Sequence, residues 1–437
     1  MKESLISITR CLRKKRLSLE HKQVGSSHKA TKKPDIYFER ASCGHYPIIA
    51  FRTVPCDMFL KGFCTPCSYS ARPYTSKNHE QYEQSLDNQL DWLCNHFSEI
   101  TIQKANGHLD GYRLNGPEDR PSFMLQLAGT SSFFRDAEIP PDFRRKILQR
   151  MLDLQDREKI KLHVMLECRP EHLVNAYESG ELKDLAPFFS DLNVVVNMGF
   201  EFVDDWLRNH LFLKELDKKI FEHAVEIAKE ARLDPGIFVF AGGHLLTVGE
   251  ILAQTKKTLC YLEQLGVFAN IMIANLQSFT LPDLLWEYDQ CVYPEPFFLL
   301  DIVELAIKFR PHRNWPITPF HWFIGGLWAD PPPRVTLLDN PKSKIPSLLT
   351  RQIYDCFQDF IKDGDVMRFH ETSRKLKAHP SFMEYQRQLE YIDPRTWEER
   401  MATSLAFARE KIETYSSLRK RELKNVALSV ETKNSKT

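Results

Sequence analysis

The chain has 437 residues, of which 43% are apolar and 11% aromatic, and its formal net charge is +1. This length and composition predict a globular protein with one large domain and an appended one. No stretch approaches the roughly 20 consecutive apolar residues of a membrane span, the N-terminus lacks the apolar core of a secretory signal, and the ten cysteines do not form a secreted disulfide framework. We therefore expect a cytoplasmic protein with no membrane association.

The N-terminal segment is basic. Residues 1–33 hold ten lysines and arginines, including the run Arg13-Lys14-Lys15-Arg16, against two acidic residues. This composition predicts a solvated, disordered arm over residues 1–40. The alternative is a segment that contacts nucleic acid. The remainder of the chain is net acidic, which argues against an extended RNA-binding surface.

From residue 41 to about 312, apolar runs alternate with amphipathic segments. The predicted strands cover residues 47–54, 100–102, 122–127, 160–166, 192–198, 237–241 and 268–273. The predicted helices cover residues 77–97, 218–231 and 248–265, with two more that begin at the prolines 140–141 and 170. Strands that alternate with helices at this spacing indicate an α/β fold with a parallel sheet, as in a partial or complete (β/α) barrel. The chemistry of such a barrel lies at the carboxyl ends of its strands.

Residues 313–425 predict a mostly helical C-terminal extension that could cover the mouth of the barrel. It begins with an aromatic stretch over residues 315–328 and three prolines at 331–333. Helices are predicted over residues 348–361, 365–377, 381–389 and 397–420. Residues 426–437 are polar and predict a frayed tail.

Three cysteines lie close together directly after the first apolar run. Cys64 and Cys67 have the C-x2-C spacing of zinc and iron–sulfur sites, and Cys56 supplies a third thiol. Zinc would require a fourth ligand, for which Cys43 or His45 is a candidate. A 4Fe-4S cluster held by three cysteines instead leaves one iron open to a small molecule. The third alternative is that the thiols are inert.

The cysteine segment resembles the radical S-adenosylmethionine (SAM) motif, C-x3-C-x2-C, in a variant with a longer first interval. Such variants occur in the branch that contains the Elongator catalytic subunit and the radical SAM subunit of archaeosine synthase. Further segments resemble the latter family in the same order along the chain. They are Leu-Ala-Gly-Thr-Ser-Ser-Phe at 127–133, Glu-Ile-Pro at 138–140, Glu-Cys-Arg-Pro-Glu at 167–171, Asn-Met-Gly-Phe-Glu at 197–201, Asn-Leu-Gln-Ser-Phe-Thr-Leu at 275–281 with Leu-Trp at 285–286, and Tyr293, Pro296 and Glu304.

The resemblance implies a radical SAM enzyme. SAM would chelate the open iron of the cluster, and an electron from an external donor would cleave SAM to methionine and a 5′-deoxyadenosyl radical that abstracts hydrogen from the substrate. The resemblance implies a nucleoside-type substrate, in tRNA or free, and the near-neutral charge also allows a natural-product intermediate. The alternatives without radical chemistry are a zinc-stabilised binding protein and a nucleic-acid-binding module.

The resemblance also implies which residues hold the cofactors. The cluster ligands would be Cys56, Cys64 and Cys67. Glu167 would accept hydrogen bonds from the ribose or the amine of SAM, and Arg169 would clamp its carboxylate. The other candidates for SAM or substrate are Tyr69, Gly129, Thr130, Ser131, Ser132, Glu201, Asn275 and Gln277.

Several of these residues have simpler interpretations. Arg169 could form a local ion pair with Glu171, and Glu201 could cap a helix.

The sequence departs from the family where Pro66 precedes the last cysteine and where Gly129 is followed by Thr-Ser-Ser. Two isolated cysteines, Cys168 and Cys291, are expected to be buried and inert.

Overall fold

The computed structural model describes residues 1–23, 33–41, 44–67, 79–102, 122–128, 132–309 and 335–434. Some predicted features lie outside the described residues. These are Cys43, Tyr69, Gly129, Thr130, Ser131, the aromatic stretch at 315–328 and the prolines at 331–333.

One seven-stranded sheet organises the fold, and its spatial order follows the chain. The strands are β1 Asp35–Ala41, β2 Gly44–Ala50, β3 Ser122–Ala128, β4 Lys161–Cys168, β5 Val195–Glu201, β6 Asp234–Ala241 and β7 Phe268–Ile273. β1 pairs antiparallel with β2, and β2 to β7 are parallel. Among the described strands, β1 and β7 are the two ends of the sheet, so the predicted α/β fold is confirmed in its partial, open form.

One helix precedes the sheet, and nine more follow or connect its described strands. They are α1 Lys2–Gln23, α2 Asp57–Lys61, α3 His79–Ile102, α4 Pro141–Glu158, α5 Pro170–Glu178, α6 Glu181–Asp191, α7 Lys218–Glu230, α8 Val248–Gln264, α9 Leu281–Glu287 and α10 Phe298–Lys308. Local sequence explains several helix starts. Thr247 and Glu250 form the predicted capping box of α8, and prolines occupy the first turns of α4 and α5.

The two faces of the sheet differ in chemistry. Consecutive right-handed crossovers place their helices on one face of a parallel sheet, which we call the outer face. On β4 this face carries Leu162, Val164 and Leu166, all fully buried in the hydrophobic core. Because side chains alternate along a strand, the opposite face, which we call the inner face, carries Glu167 on β4 and its register partner Asn197 on β5.

The N-terminal segment differs from the predicted disordered arm. Residues 2–23 form helix α1, in which Leu5, Ile8 and Leu12 are buried in the main core, and residues 35–41 form strand β1. Although the segment is rich in lysine and arginine, its apolar residues recur at helical spacing. Packing of this apolar stripe therefore orders a segment whose net charge indicated disorder.

The predicted helical C-terminal region is confirmed. Its helices are α11 Ser347–Asp363, α12 Val366–Lys377, α13 Phe382–Glu390 and α14 Trp397–Asn434. Helix α14 continues through residues 426–434, so most of the predicted frayed tail is helical. Helix α14 also contacts α9. The Tyr415 hydroxyl donates to Asp283 of α9 and accepts from the Phe279 backbone N–H at 2.9 Å. No helix in the described part of the chain is both long enough and apolar enough to cross a bilayer.

One predicted strand is wrong. Residues 100–102, Ile-Thr-Ile, form the last turn of α3 rather than a strand. The buried residues Leu90, Leu93, Phe97 and Ile100 recur at helical spacing. This tertiary packing overrides the strand preference of three β-branched residues.

Candidate functional site

The cysteine loop leaves the carboxyl end of β2 and turns through the short helix α2. Cys56 directly precedes α2, and Gly62 ends the helix with a φ of 84°. Cys64 and Cys67 follow, with the Cys67 N–H donating to the Cys64 carbonyl at 2.9 Å. All three cysteines are half-buried thiols outside any disulfide. The loop therefore presents them at the edge of the sheet where parallel α/β proteins place their sites.

A second segment holds this loop in place. The backbone N–H groups of Cys64 and Thr65 donate to the carbonyls of Leu213 and Phe212 at 3.2 and 3.1 Å. The Thr65 hydroxyl, which is fully buried, donates to the Leu211 carbonyl at 2.9 Å. Residues 211–213 follow β5, so the cysteine loop is tied to the carboxyl end of another strand of the same sheet.

Three buried cations lie within electrostatic reach of the thiols. The positive charge of Arg13 interacts with all three cysteines, that of Arg169 with Cys64 and Cys56, and that of Lys214 with Cys64. Arg169 also forms an ion pair with Glu171 at 2.6 Å, as the simpler interpretation predicted. Buried positive charge close to a cysteine loop suits a site for a negatively charged metal centre.

Glu201 and Lys214 form a buried ion pair beside the loop. The Lys214 ammonium lies 2.8 Å from Glu201 Oε1, so this carboxylate takes part in an ion pair that neither interpretation of Glu201 foresaw. Glu201 has a φ of 70°, and the pairing register shifts between Gly199 and Glu201. A Cβ at Gly199 would lie 2.3 Å from Lys214 Nζ. The glycine therefore leaves the space through which the lysine reaches the carboxylate.

Glu167 projects from the end of β4 on the inner face. The Gln126 amide donates to Glu167 Oε1 at 2.5 Å. Withdrawal of the carboxyl group from water raises its pKa to about 7, and Glu138 acts in the same direction, while Gln126 and Lys214 oppose them. A carboxyl group that titrates near neutrality can accept hydrogen bonds from a cationic or hydroxyl-bearing ligand and become fully ionised when it does.

Ser132 links the strand ends. Its hydroxyl accepts from the Arg169 backbone N–H at 3.2 Å, and its own N–H donates to Glu138 Oε2 at 3.2 Å. Glu138 is fully buried and also accepts from the Thr53 hydroxyl at 3.2 Å. These contacts connect the segments that follow β2, β3 and β4.

The remaining predicted residues follow β7. Asn275 Oδ1 is buried without a hydrogen-bond partner. The Gln277 carbonyl accepts from the Thr280 hydroxyl at 2.7 Å, and Thr280 caps α9. Asn275 thus offers an acceptor to a ligand, whereas the Gln277 backbone stabilises the turn.

No protein-family model matches the chain. Archaeosine synthase subunit beta of Methanosarcina acetivorans is 23% identical over 265 residues, which are 60% of this chain and 67% of that protein. The protein of the same name from Thermococcus kodakarensis is 24% identical over 192 residues, 44% of this chain and 57% of that protein. An uncharacterised protein of Methanocaldococcus jannaschii is 23% identical over 195 residues, 45% of this chain and 46% of that protein. The chain spans about half to two thirds of the length of these relatives.

The resemblance to archaeosine synthase subunit beta is confirmed at 23–24% identity. Among solved structures, coproporphyrinogen III oxidase of Escherichia coli, a radical SAM enzyme, is 14% identical with a TM-score of 0.33, and the match covers 64% of this chain and 54% of that chain. The radical SAM methyltransferase TsrM of Kitasatospora setae is 13% identical with a TM-score of 0.33, over 53% of this chain and 36% of that chain.

The donor set suits the cofactors of radical SAM proteins. Thiolates are the usual ligands of iron–sulfur clusters, and the three cysteines lie in one loop near three buried cations. Three thiolates give a cubane cluster a net negative charge, which those cations can balance. Within the described residues, no three side chains among His, Cys, Asp and Glu come close enough together to hold a single metal ion.

The structure adds inner-face residues that the sequence did not single out as ligands. Asn197 of β5 and Asn270 of β7 are 1% and 0% exposed, and the Asn270 amide donates to Asn197 Oδ1 at 2.8 Å. Asn197 Nδ2 and Asn270 Oδ1 have no partner. Whichever way the two amides are oriented, one donor and one acceptor remain available. Gly236 makes room between them, because a Cβ there would lie 2.2 Å from Asn197 Oδ1.

Other buried polar atoms without partners lie at the same face or its rim. They are Gln126 Oε1 on β3 and His244 Nε2 after β6. Burial lowers the pKa of His244 to about 3, so its ring is neutral. In the sequence, Gln126 and His244 could have been found only as polar residues within or directly after an apolar strand.

The isolated cysteines behave as expected. Burial raises the pKa of the Cys168 thiol, and it raises that of Cys291 to about 12. Both groups are therefore protonated thiols at neutral pH.

Proposed function

We propose that the chain is a radical SAM enzyme that acts on a nucleoside-type substrate. Cys56, Cys64 and Cys67 would hold a 4Fe-4S cluster. The observation that carries the proposal is the arrangement of these three half-buried thiols in one anchored loop, within reach of the buried charges of Arg13, Arg169 and Lys214. When bound, the cluster supplies the electron that cleaves SAM to methionine and a 5′-deoxyadenosyl radical.

Arg169 is our candidate for binding the SAM carboxylate. Both of its side-chain hydrogen bonds to described residues use Nη2, one to Glu171 Oε1 at 2.6 Å and one to the Lys214 carbonyl at 2.8 Å. Nε and Nη1 remain, and each can donate a single hydrogen bond to a carboxylate oxygen. Its buried backbone is fixed by Ser132. The guanidinium is thus pre-oriented near the thiols.

Glu167 and Glu201 are candidates for the amine and ribose of SAM. Glu167 is held by Gln126, and its pKa of about 7 would fall when a cation binds beside it. Glu201 keeps one carboxylate oxygen beyond the one that binds Lys214. Tyr69, Gly129, Thr130, Ser131 and Ser132 complete the proposed SAM contacts.

A nucleoside-type substrate suits the chemistry of the inner face. Asn197, Asn270 and Asn275 present buried amide atoms without partners, and a nucleobase edge offers matching donors and acceptors. Two of the relatives are each named as a subunit of archaeosine synthase. We therefore propose a modified nucleoside, in tRNA or free, a partner subunit, and an external one-electron donor. The substrate could also be a natural-product intermediate of similar shape.

Anaerobic reconstitution tests the proposal. The full chain is incubated with iron and sulfide, and bound iron, sulfide and absorbance near ~400 nm are measured. We expect about four irons and four sulfides per chain, and an electron paramagnetic resonance (EPR) spectrum of the reduced cluster that changes when SAM is added. Cys64→Ala should lose the cluster, whereas Cys291→Ala, a matched control outside the loop, should retain it.

The same experiment identifies failure. A protein that takes up no iron or sulfide, and in which metal analysis finds one zinc ion, would support the zinc-stabilised binding protein instead. A cluster whose spectrum is the same with and without SAM would contradict the proposed open iron.

A further inference from the structure

Helix α1 contacts the cysteine loop through one buried arginine. Arg13 is 4% exposed, and its guanidinium donates to the carbonyls of Phe59, Cys64 and Cys67 at 2.7, 2.8 and 3.1 Å. The guanidinium also lies 4.2 Å from the centroid of the Phe59 ring. One side chain therefore fixes the backbone at two of the three cysteines.

Neighbouring contacts show that this approach is close and specific. Arg10 Nε donates to the Lys61 carbonyl at 2.7 Å. A Cβ at Gly62 would lie 2.7 Å from Arg10 Cγ and 2.9 Å from the Ile6 carbonyl oxygen. The loop therefore requires glycine at residue 62 both for its φ of 84° and for the approach of α1.

Helix α1 also reaches the opposite end of the sheet. Arg16, one turn beyond Arg13, is buried and donates to the Ser278 carbonyl at 3.2 Å. Ser278 follows β7, whereas the cysteine loop follows β2. Helix α1 thus bridges the carboxyl ends of the first and last parallel strands. The two buried arginines are unavailable to a nucleic-acid backbone.

The charge of Arg13 is balanced differently from that of the other two cations. Arg169 pairs with Glu171, and Lys214 pairs with Glu201. All the hydrogen bonds of Arg13 to described residues go to neutral carbonyls. A buried cation without a carboxylate is costly. Negative charge at the three nearby sulfurs would offset that cost.

We propose that Arg13 is a positioning residue of the metal centre, which fixes the cysteine loop and stabilises the reduced form of the bound cluster. This inference rests on the proposed 4Fe-4S cluster. Reduction transfers one electron from the external donor to the cluster and adds one negative charge to it. A fixed cation nearby favours the more negative form and so raises the reduction potential.

Three variants of the full chain test this role. Arg13→Gln removes the charge, and Arg13→Lys keeps it while losing the planar fork. The control is Arg144→Gln, which removes a fully buried guanidinium whose ion pairs go to Asp136 and Glu181 and not to the cysteine loop. For each variant, iron per chain, the melting temperature without cluster and the midpoint potential by EPR-monitored titration are measured.

We expect Arg13→Gln to shift the redox equilibrium of the cluster at least tenfold toward the oxidised form, which is about 59 mV for a one-electron couple. Arg13→Lys should keep a potential close to that of the wild type but retain less iron. Arg144→Gln should lower the melting temperature without changing the potential.

An unchanged potential in Arg13→Gln, with only the melting temperature lowered, would overturn the proposal and leave Arg13 a purely structural residue. An equal shift in Arg144→Gln would also overturn it. If the wild-type chain assembles no cluster, the proposed function itself fails, and this is seen before any variant is compared.

Discussion

The two faces of the sheet have the same backbone but opposite chemistry. On the outer face, Leu162, Val164 and Leu166 of β4 are fully buried and apolar. On the inner face, Glu167, Asn197 and Asn270 place a carboxyl group and two amides among buried residues. Three buried amide atoms of the inner face, Gln126 Oε1, Asn197 Nδ2 and Asn270 Oδ1, have no hydrogen-bond partner.

This difference separates stability from binding. A buried polar atom that finds no partner in the protein, in water or in a ligand costs about 1–3 kcal/mol. Native proteins contain few such atoms, and they commonly occur where a ligand or water binds. The outer face therefore holds the fold together, and the inner face is arranged for a polar ligand.

The largest expected effect is at the outer face. Leu162→Ala removes a fully buried side chain from the core, and we expect it to lower the free energy of unfolding by about 3 kcal/mol. Urea denaturation of the cluster-free protein measures this loss. Leu162→Ile, a volume-conserving control, should cost less than about 1.5 kcal/mol. An equal loss in both variants would contradict the packing argument.

The next effect is a pH dependence at the inner face. The pKa of Glu167 rises from its ordinary value of 4.5 to about 7. Between these values the folded protein holds a proton that the unfolded chain has lost, so this group lowers stability as pH rises. We therefore compare the free energies of unfolding of Glu167→Gln and the wild type, both without cluster or SAM. The difference between them should shift in favour of Glu167→Gln by roughly 2 kcal/mol from pH 5 to pH 8.

Denaturation at both pH values measures the gain from Glu167→Gln. Leu162→Ala, which changes no titrating group, is the control and should show the same deficit at both pH values. A constant difference between Glu167→Gln and wild type would mean that the carboxyl group is not withdrawn from water.

The smallest effect concerns the amide pair. Asn197→Leu or Asn270→Leu alone leaves the other amide without its partner, whereas the double variant removes both amides. We expect the double variant to be more stable than the sum of the single losses predicts, with a coupling energy of about 1 kcal/mol. Additive losses in a double-mutant cycle would show that the amides do not interact.

The sequence predicted the sheet better than its surroundings. The strands β3 to β7, and part of β2, were foreseen because short apolar runs recur between amphipathic helices. The α8 capping box was foreseen from Thr247 and Glu250. Residues 100–102 misled the analysis because their strand preference is local, whereas the packing of α3 is not. The strand β1 was missed because its pairing with β2 depends on a hairpin rather than on apolar periodicity.

The candidate site was predicted in part. The spacing of Cys56, Cys64 and Cys67 identified the candidate loop, and the family resemblance implied Glu167 and Arg169. The role of α1 was not foreseen, because ten basic residues in 33 concealed the apolar stripe of Leu5, Ile8 and Leu12. Asn270 was missed because a single amide in a strand does not reveal which distant strand residue it contacts.

The central claim is that the cysteine loop supports cleavage of SAM. The most direct test incubates the reconstituted full chain with SAM and dithionite without oxygen, and quantifies 5′-deoxyadenosine and methionine by mass spectrometry. The account predicts equal amounts of the two products from the wild type and none above background from Cys64→Ala. A wild-type chain that holds a complete cluster, binds SAM and yields no 5′-deoxyadenosine would contradict it.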